Sequence, residues 1–242
     1  MSSSSQSVNP RILTRLLALL SARAGTATEA LGSFLAARRE QLTARFGADA
    51  QIVIGLRRAD DPFAQVGGER KIESADAILQ VSLPGQWPLE DLLRRLRGLT
   101  DDLQEMVDMN RSALAMGRAY LIVERDGPVF CGFLGRRHPD ISLEEMRHWW
   151  LYHHGPLGVA LTGTRSPHGY DQLHVEPDAS RKAAAVAGFP YVPYDMGDSL
   201  YIEDLDEFVR GTSDPEIQRQ LYEDEIGHLD HSSWRGAFTD RI

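Results

Sequence analysis

The sequence predicts an α+β fold made of two ferredoxin-like units in tandem, with N-terminal helices. The order strand, helix, strand, strand, helix, strand, which defines the ferredoxin-like arrangement, runs through the second half of the 242-residue chain. The first half follows the same rhythm but has no obvious strand before its first long helix. The segments DAILQV and PLEDLLRRL in the first half also parallel DSLYIE and LDEFVR in the second. These observations indicate an internal duplication.

The first residues are expected to form a polar tail and an amphipathic helix. Asn9 suits the cap of a helix over residues 9–22, Pro10 suits its first turn, and leucines recur on one face. Arg15 interrupts the apolar run, which leaves the run too short for the core of a signal peptide. No transmembrane length is found elsewhere, so the sequence predicts a cytoplasmic protein.

The predicted parts are residues 1–25 as tail and helix, 26–127 as a degenerate ferredoxin-like unit, and 128–242 as the unit that carries the site. In the first unit, hydrophobic periodicity predicts a helix at 26–46, strands at 51–58 and 75–83, a helix from about 88 to 106, and a strand at 117–125. In the second unit it predicts strands at 129–137, 169–177, 197–205 and 232–240, a helix at 141–157, and acidic helical segments before the last strand. Two such sheets facing each other would enclose a barrel-like cavity.

Composition narrows the classes of function. The net charge of −9 argues against nonspecific nucleic-acid binding, which needs a basic surface. The single cysteine, Cys131, lies in the apolar run VFCGFL, which predicts core packing and fits a reducing compartment. The chain has no P-loop, dinucleotide fingerprint or nucleophile elbow. Nucleotide cofactors and serine hydrolysis are therefore not predicted.

One segment, Arg136 to Pro156, holds four of the eight histidines, together with two tryptophans and a tyrosine. Histidine changes charge near neutral pH, so this cluster indicates proton transfer at an aromatic-lined pocket. Ser142 and Glu145 form a capping box that starts a helix. The dipeptide Gly155-Pro156 is expected to end or bend this helix just after His154. A helix C-terminus favours imidazolium and burial favours the neutral ring, so both protonation states stay open.

The same segment resembles the signature of the EthD-like proteins, which belong to the dimeric α+β barrel superfamily. The resemblance rests on Arg-Arg, Ser-x-Glu-Glu, a tryptophan and His-Gly-Pro between Arg136 and Pro156. It implies that the two units form a pseudo-dimeric α+β barrel and that Arg137, Trp150 and His154 line a cleft. Related proteins include cofactor-independent monooxygenases, cyclases and decarboxylases. The first half lacks the His-Gly-Pro segment, which suggests one working site per chain.

The predicted site is built around this helix and the strand GYDQLHV. Strand alternation places Leu173 and Val175 under helices and the opposite face toward a cavity. The predicted catalytic residues are His154, His174 and Arg137. The predicted substrate-binding residues are Trp149, Trp150, His153, Tyr170, Gln172, Tyr191 and Tyr194, of which His153 is expected to be the more exposed of the adjacent histidines.

Two glutamate–histidine pairs raise the alternative of a metal centre. Glu145-x-x-His148 and Glu225-x-x-His228 each match half of a carboxylate-bridged di-iron motif, but that motif needs a four-helix bundle. No zinc pattern is present. The prediction is therefore no metal and no cofactor.

The predicted function is a cofactor-independent lyase of the decarboxylase type, acting on an aromatic or phenolic acid in aromatic-compound catabolism. His154, together with His174, would transfer a proton, and Arg137 would hold a carboxylate or phenolate. One alternative is a cofactor-free monooxygenase or cyclase on aromatic or polyketide-like substrates. Another is a non-catalytic binding or assembly module. The predicted partner is a small aromatic molecule, without nucleic acid or membrane, and a homodimer stays open because sheet edges can pair.

Overall fold

The computed structural model describes residues 10–65, 72–163 and 168–242. Its strands are β1 (Arg11–Leu20), β2 (Gln51–Arg57), β3 (Glu73–Ser74), β4 (Ala77–Pro84), β5 (Ala113–Val123), β6 (Val129–Arg137), β7 (His168–Val175), β8 (Met196–Ile202) and β9 (Leu229–Arg241). Its α-helices are α1 (Thr28–Ala36), α2 (Arg39–Phe46), α3 (Pro62–Gln65), α4 (Leu89–Leu96), α5 (Leu143–Trp149), α6 (Gly155–Thr162), α7 (Pro177–Ala187), α8 (Leu205–Thr212) and α9 (Pro215–Glu225). A π-helical turn, Trp150–His154, joins α5 to α6.

The long strands close into a barrel with an internal pseudo-twofold arrangement. In the first unit the strand order is β5-β1-β4-β2, and in the second it is β9-β6-β8-β7, which is the ferredoxin-like order in both. The units join through β5–β7 and β2–β9, both antiparallel, and the short β3 adds to β9. The predicted fold of two ferredoxin-like units in an α+β barrel is confirmed. We propose that the units divide between β5 and β6, where the predicted boundary of residues 127 and 128 falls.

The predicted helix over residues 9–22 is wrong, because Arg11–Leu20 is strand β1. This strand pairs with β4 on one side and β5 on the other, and it supplies the first strand that the sequence did not reveal. Every residue from Leu13 to Leu20 is buried, since the strand is covered on both faces. A strand buried on both faces reads as a continuous apolar run, which periodicity cannot distinguish from a buried helix. Residue Asn9, the predicted cap, lies outside the described residues.

The middle of the barrel is filled with side chains, so the predicted cavity between the two sheets is wrong for this part. A cavity of about 560 Å³ lies at the end of the strands, lined in part by Val53, Asp171 and Tyr201. Apolar residues from strands of both units pack in the middle in one cluster, among them Leu17, Leu19, Ile78, Phe130, Leu134, Leu173 and Val175. The alternate residues of each strand therefore face outward, under the helices. A second apolar cluster, which includes Cys131, Phe133, Met146 and Trp150, lies on the outward face of the second unit. One cavity of this unit lies between its sheet and its helices.

Candidate functional site

A cavity of about 550 Å³ lies on that outward face, between the sheet of the second unit and helices α6, α8 and α9. This volume is in the range of small-molecule sites. Its wall is mostly apolar and aromatic, and it includes Phe63, Phe133, Leu200, Phe208, Trp234 and Phe238. The titratable side chains in the wall are His154, His168, Tyr170, Asp198 and Glu225.

The helix that carries His154 starts as predicted but does not end as predicted. The Ser142 hydroxyl accepts from the backbone N–H of Glu145, and the Glu145 carboxylate accepts from the N–H of Ser142, so the capping box is present. After His154 the chain continues into α6, with Pro156 in its first turn. The π turn before Gly155 shifts the hydrogen-bond pattern, and a proline in a first turn needs no N–H. His154 therefore lies inside a continuous helical segment rather than at a helix C-terminus.

The His154 ring is held by a carboxylate on α9. Its Nδ1 lies 2.8 Å from Asp224 Oδ2, and Asp224 Oδ1 accepts from the indole N–H of Trp149 at 3.1 Å. His153 Nε2 is 3.0 Å from the same Oδ1. Partial burial raises the pKa of Asp224, but hydrogen bonds from His154 and Trp149 outweigh it and hold the pKa below its ordinary value. An ionised carboxylate only accepts, so the hydrogen of a neutral His154 ring is on Nδ1 and its Nε2 is an acceptor.

A second polar group in the wall comprises Tyr170 and Asp198 on adjacent strands. The Gln172 amide donates to the Tyr170 oxygen at 2.9 Å and to the Trp150 carbonyl at 2.9 Å. Both side chains line the cavity. Burial, followed by the charge of Glu225, raises the pKa of Asp198 well above its ordinary value. Burial also raises the pKa of Tyr170. Burial therefore favours the neutral form of both groups, which can donate a hydrogen bond.

Glu225 links the cavity to a further histidine. Its Oε1 is 4.0 Å from His154 Nε2, and its Oε2 is 2.9 Å from His231 Nε2. His231 packs edge-on against Trp234, with ring centroids 4.8 Å apart. His228 stacks on Trp149 at 4.0 Å. The last two histidines of the chain therefore pack around the site.

Of the residues predicted from the sequence, His154 and Tyr170 line the cavity. Gln172 and His174 share the outward face of β7 with Tyr170, which corrects the predicted orientation: Leu173 and Val175 point into the barrel instead. Gln172 is buried behind Tyr170, and His174 stacks on Trp150 with centroids 5.1 Å apart. Trp150 is fully buried in the outward core cluster. These residues support the wall rather than form it.

The remaining predicted residues lie outside the wall. Arg137 faces Asp195 at 3.8 Å rather than a substrate carboxylate. Tyr191 lies under the guanidinium of Arg181, 4.9 Å from its ring centroid. Tyr194 packs in the barrel interior. Trp149 anchors Asp224, and the His153 side chain is 65% exposed.

Three carboxyl groups of the site were missed from the sequence: Asp198, Asp224 and Glu225. Asp198 lies in GDSLYIEDL, where strand alternation with Leu200 was the available signal for its outward face. Asp224 and Glu225 lie in the acidic run YEDE, which is typical of an exposed helix face. The contact of Asp224 with His154 spans 70 positions of sequence, and no local pattern encodes it.

The described residues contain no cluster of three or more His, Cys, Asp or Glu side chains arranged to hold a metal ion. In the same residues, none of the helices has the length and apolar character needed to cross a bilayer.

Comparison with known proteins supports the family. Residues 138–232 match the EthD domain. The search of curated proteins finds no match. A variant of the chlorite dismutase from Candidatus Nitrospira defluvii has the same fold, with 10% identity, a TM-score of 0.55, and coverage of 95% of this chain and 91% of that chain.

Two further solved structures resemble the chain less closely. A protein described as a monooxygenase from Lactobacillus acidophilus NCFM has 9% identity and a TM-score of 0.49, with coverage of 96% of this chain and 94% of that chain. A heme-binding protein from Thermus thermophilus has 14% identity and a TM-score of 0.48, with coverage of 96% of this chain and 92% of that chain. At such identities the likeness shows the fold alone.

The predicted cofactor-independent decarboxylase is contradicted by this comparison. Chlorite dismutases, which are enzymes of another kind, share the fold over nearly the whole chain. The predicted carboxylic acid substrate also loses its support, because Arg137 lies outside the wall.

Heme is the cofactor that this fold family implies, and the side chains of the cavity do not fit it. No arginine or lysine is among the described residues of the wall to pair with two propionates, and Asp198 and Glu225 add carboxyl groups there. His154 has the carboxylate-held Nδ1 that is common in metal ligands. However, Glu225 Oε1 lies 4.0 Å from Nε2, which is the nitrogen that would bind iron. We therefore derive no step through heme.

The EthD match covers most of the cavity-bearing unit, and the whole chain closes into the corresponding barrel. Residues 138–232 thus match the EthD domain, and the chain as a whole has the α+β barrel fold.

Proposed function

We propose that the chain is a monooxygenase that oxidises an aromatic or phenolic small molecule in the cavity of the second unit. The observation that carries the proposal is the His154 ring, whose Nδ1 is held by Asp224 at 2.8 Å while the ring lines an apolar cavity. A ring fixed in this way presents Nε2 as a base. Dry, aromatic surroundings strengthen such an electrostatic arrangement.

The shape and composition of the wall support an aromatic substrate. Phe63 packs edge-on against Phe133 and Phe238, with centroid distances of 6.2 and 4.8 Å. Phe133 also stacks on Trp234 at 5.1 Å. Such rings favour stacked or edge-on contacts with another ring. A molecule of two or three fused rings suits a cavity of about 550 Å³.

The reaction balances with oxygen as the only co-substrate. His154 Nε2 accepts a proton from a ring CH₂ that is activated by a conjugated carbonyl, which leaves a delocalised carbanion. The carbanion reduces O₂, one oxygen atom is incorporated, and the C–H bonds are replaced by C=O as water leaves. The sum is CH₂ + O₂ → C=O + H₂O, in which the carbon supplies four electrons and the protonated His154 returns its proton to the leaving hydroxide.

The test is oxygen uptake with anthrones and hydroxylated naphthalene derivatives, with products identified by mass spectrometry under ¹⁸O₂. We expect one labelled oxygen in the product and a rate reduction of roughly 10² or more in His154→Gln. His148→Gln is the matched control, because His148 is exposed on α5 of the same helical segment. The proposal fails if folded wild-type protein shows no uptake across the panel, if His154→Gln retains the full rate, or if products form equally without oxygen. The last result would favour a cyclase.

A further inference from the structure

The Asp198 carboxyl group has a free hydrogen-bonding position inside the cavity wall. Its side chain is 7% exposed, and its Oδ1 atom is buried without a hydrogen-bond partner among the described residues. Buried polar atoms in native structures almost always have a partner, so an unpaired one in a cavity wall needs an explanation. A ligand atom in the cavity would provide that partner.

The neighbouring hydrogen bonds show which kind of atom is missing. Gln172 donates to the Tyr170 oxygen and not to Asp198, although Asp198 is on the neighbouring strand. Burial, followed by the charge of Glu225, raises the pKa of Asp198 well above its ordinary value, which favours the protonated carboxyl group. The free position on this group is thus a donor, and it lacks an acceptor.

The charge of the cavity narrows the ligand further. Asp198 and Glu225 are the acids in the wall, and no arginine or lysine is among its described residues. A ligand carboxylate would be repelled by Glu225 and would find no arginine or lysine among the described residues of the wall. A neutral ligand with an oxygen acceptor on an apolar ring system would avoid this repulsion and would supply the missing acceptor. The indole N–H of Trp234, which also lines the cavity and lacks a described partner, offers a second donor to such a ligand.

We propose that Asp198, together with the indole N–H of Trp234, binds a carbonyl or phenolic oxygen of the ligand, so the site selects neutral aromatic ketones and phenols over hydrocarbons and carboxylic acids. This inference deepens the proposed function and rests on it for one point. A hydrogen bond from Asp198 to the ligand carbonyl would stabilise the enolate that forms when His154 removes a proton. A protonated aspartate that donates to an enolate oxygen is a known device for this purpose. Binding selectivity, however, can be measured without turnover.

The experiment compares three rigid probes: 9-fluorenone, fluorene and fluorene-9-carboxylate. Fluorenone has no CH₂ group, so it binds without being oxidised. We expect wild-type protein to bind fluorenone roughly tenfold more tightly than fluorene, with the carboxylate weakest, by quenching of tryptophan fluorescence. The carbonyl stretching frequency of bound fluorenone should fall, because a donor polarises the C=O bond.

Asp198→Leu removes the donor and should abolish both the tenfold preference and the infrared shift. Asp198→Asn keeps an N–H donor and should retain most of both, which covers the case in which the leucine variant does not fold. Asp195→Asn is the matched control, since Asp195 pairs with Arg137 outside the wall. Equal binding of fluorenone and fluorene by wild type, or an unchanged preference in folded Asp198→Leu, would overturn the inference. A fluorenone preference without oxygen uptake on anthrones would retain this inference and reject the monooxygenase.

Discussion

Arg15 and Asp171 form an ion pair inside the barrel, and it joins the two halves of the chain. Arg15 Nη2 lies 2.7 Å from Asp171 Oδ2, and both side chains are almost fully buried. The same guanidinium donates to Ser82 at 2.9 Å and to Ser199 at 3.3 Å. β1 belongs to the first unit, and β7, which carries Asp171, belongs to the second. The barrel interior therefore couples the units through a polar cluster as well as through its apolar core.

Breaking this pair should destabilise the protein strongly. Burial raises the pKa of Asp171, while the charge and hydrogen bond of Arg15 act in the opposite direction, and the short contact favours the ionised pair at neutral pH. Asp171→Asn leaves Arg15 buried without a counter-charge, so we expect a loss of about 3–5 kcal/mol in the free energy of unfolding. Urea denaturation at pH 7 measures it. Asp178→Asn, at an exposed pair with Arg181, is the control and should change little. A loss below about 1 kcal/mol would show that the pair is not important for stability.

His174 should make the fold sensitive to acid. Burial, followed by the charge of Arg147, lowers the pKa of His174 from 6.5 to about 3. The unfolded chain therefore binds a proton below about pH 6.5 that the folded chain does not bind, and stability is lost as the pH falls from there toward about 3. His174→Phe keeps an aromatic ring against Trp150 but does not titrate. We expect its stability to fall less steeply between pH 6.5 and 4, by on the order of 1–3 kcal/mol.

The measurement for His174 is the free energy of unfolding at several pH values, compared between variants by slope rather than by absolute value. His148→Phe, at an exposed position, should keep the wild-type slope. Parallel curves for wild type and His174→Phe would contradict the prediction.

Asp198 should limit stability at neutral pH. Its folded-state pKa is raised, chiefly by burial, so stability is complete below the unfolded value near 4 and is lost as the pH rises through the folded value. Asp198→Asn removes this titration. We expect the variant to be more stable than wild type at pH 7, by on the order of 1 kcal/mol or more, and the advantage to vanish near pH 4. Thermal unfolding at both pH values tests this, with exposed Asp49→Asn as the control. An advantage that is largest at low pH would reverse the sign and refute it.

Asp224 should control the rate rather than the affinity. Asp224→Asn replaces an ionised acceptor with a neutral amide, so the His154 ring loses the partner that fixes its hydrogen on Nδ1. We expect kcat for oxygen uptake to fall roughly 10²-fold or more, with a smaller change in KM. Glu223→Gln, the neighbouring position on α9 that pairs with Arg219, should behave as wild type. A change confined to KM would assign Asp224 to substrate binding instead.

The helix start at Ser142 illustrates what could be predicted from local sequence. The capping box and the packing of Ile141 and Met146 depend on residues within one turn of each other, and the structure contains both. The position of His154 on the same helical segment followed from this start. By contrast, the end of the helix was mispredicted, because a π turn accommodates Gly155-Pro156 through hydrogen bonds that composition does not encode.

The sequence by itself determined the fold class, the unit that carries the EthD segment, and the start of the helical segment that carries His154. Hydrophobic periodicity, helix capping and a continuous motif each depend on residues that are close in sequence, so they can be recognised without knowledge of the fold. Only the tertiary structure decided that Arg11–Leu20 is a strand, that the middle of the barrel is filled, and that the cavity beside His154 lies between the second sheet and its helices. It also decided that Asp224 and Glu225 lie beside His154 and that Asp198 shares the wall of its cavity. The physical reason is that these features arise from packing. A strand becomes buried on both faces, and a carboxylate meets an imidazole distant in sequence, only when the barrel has closed.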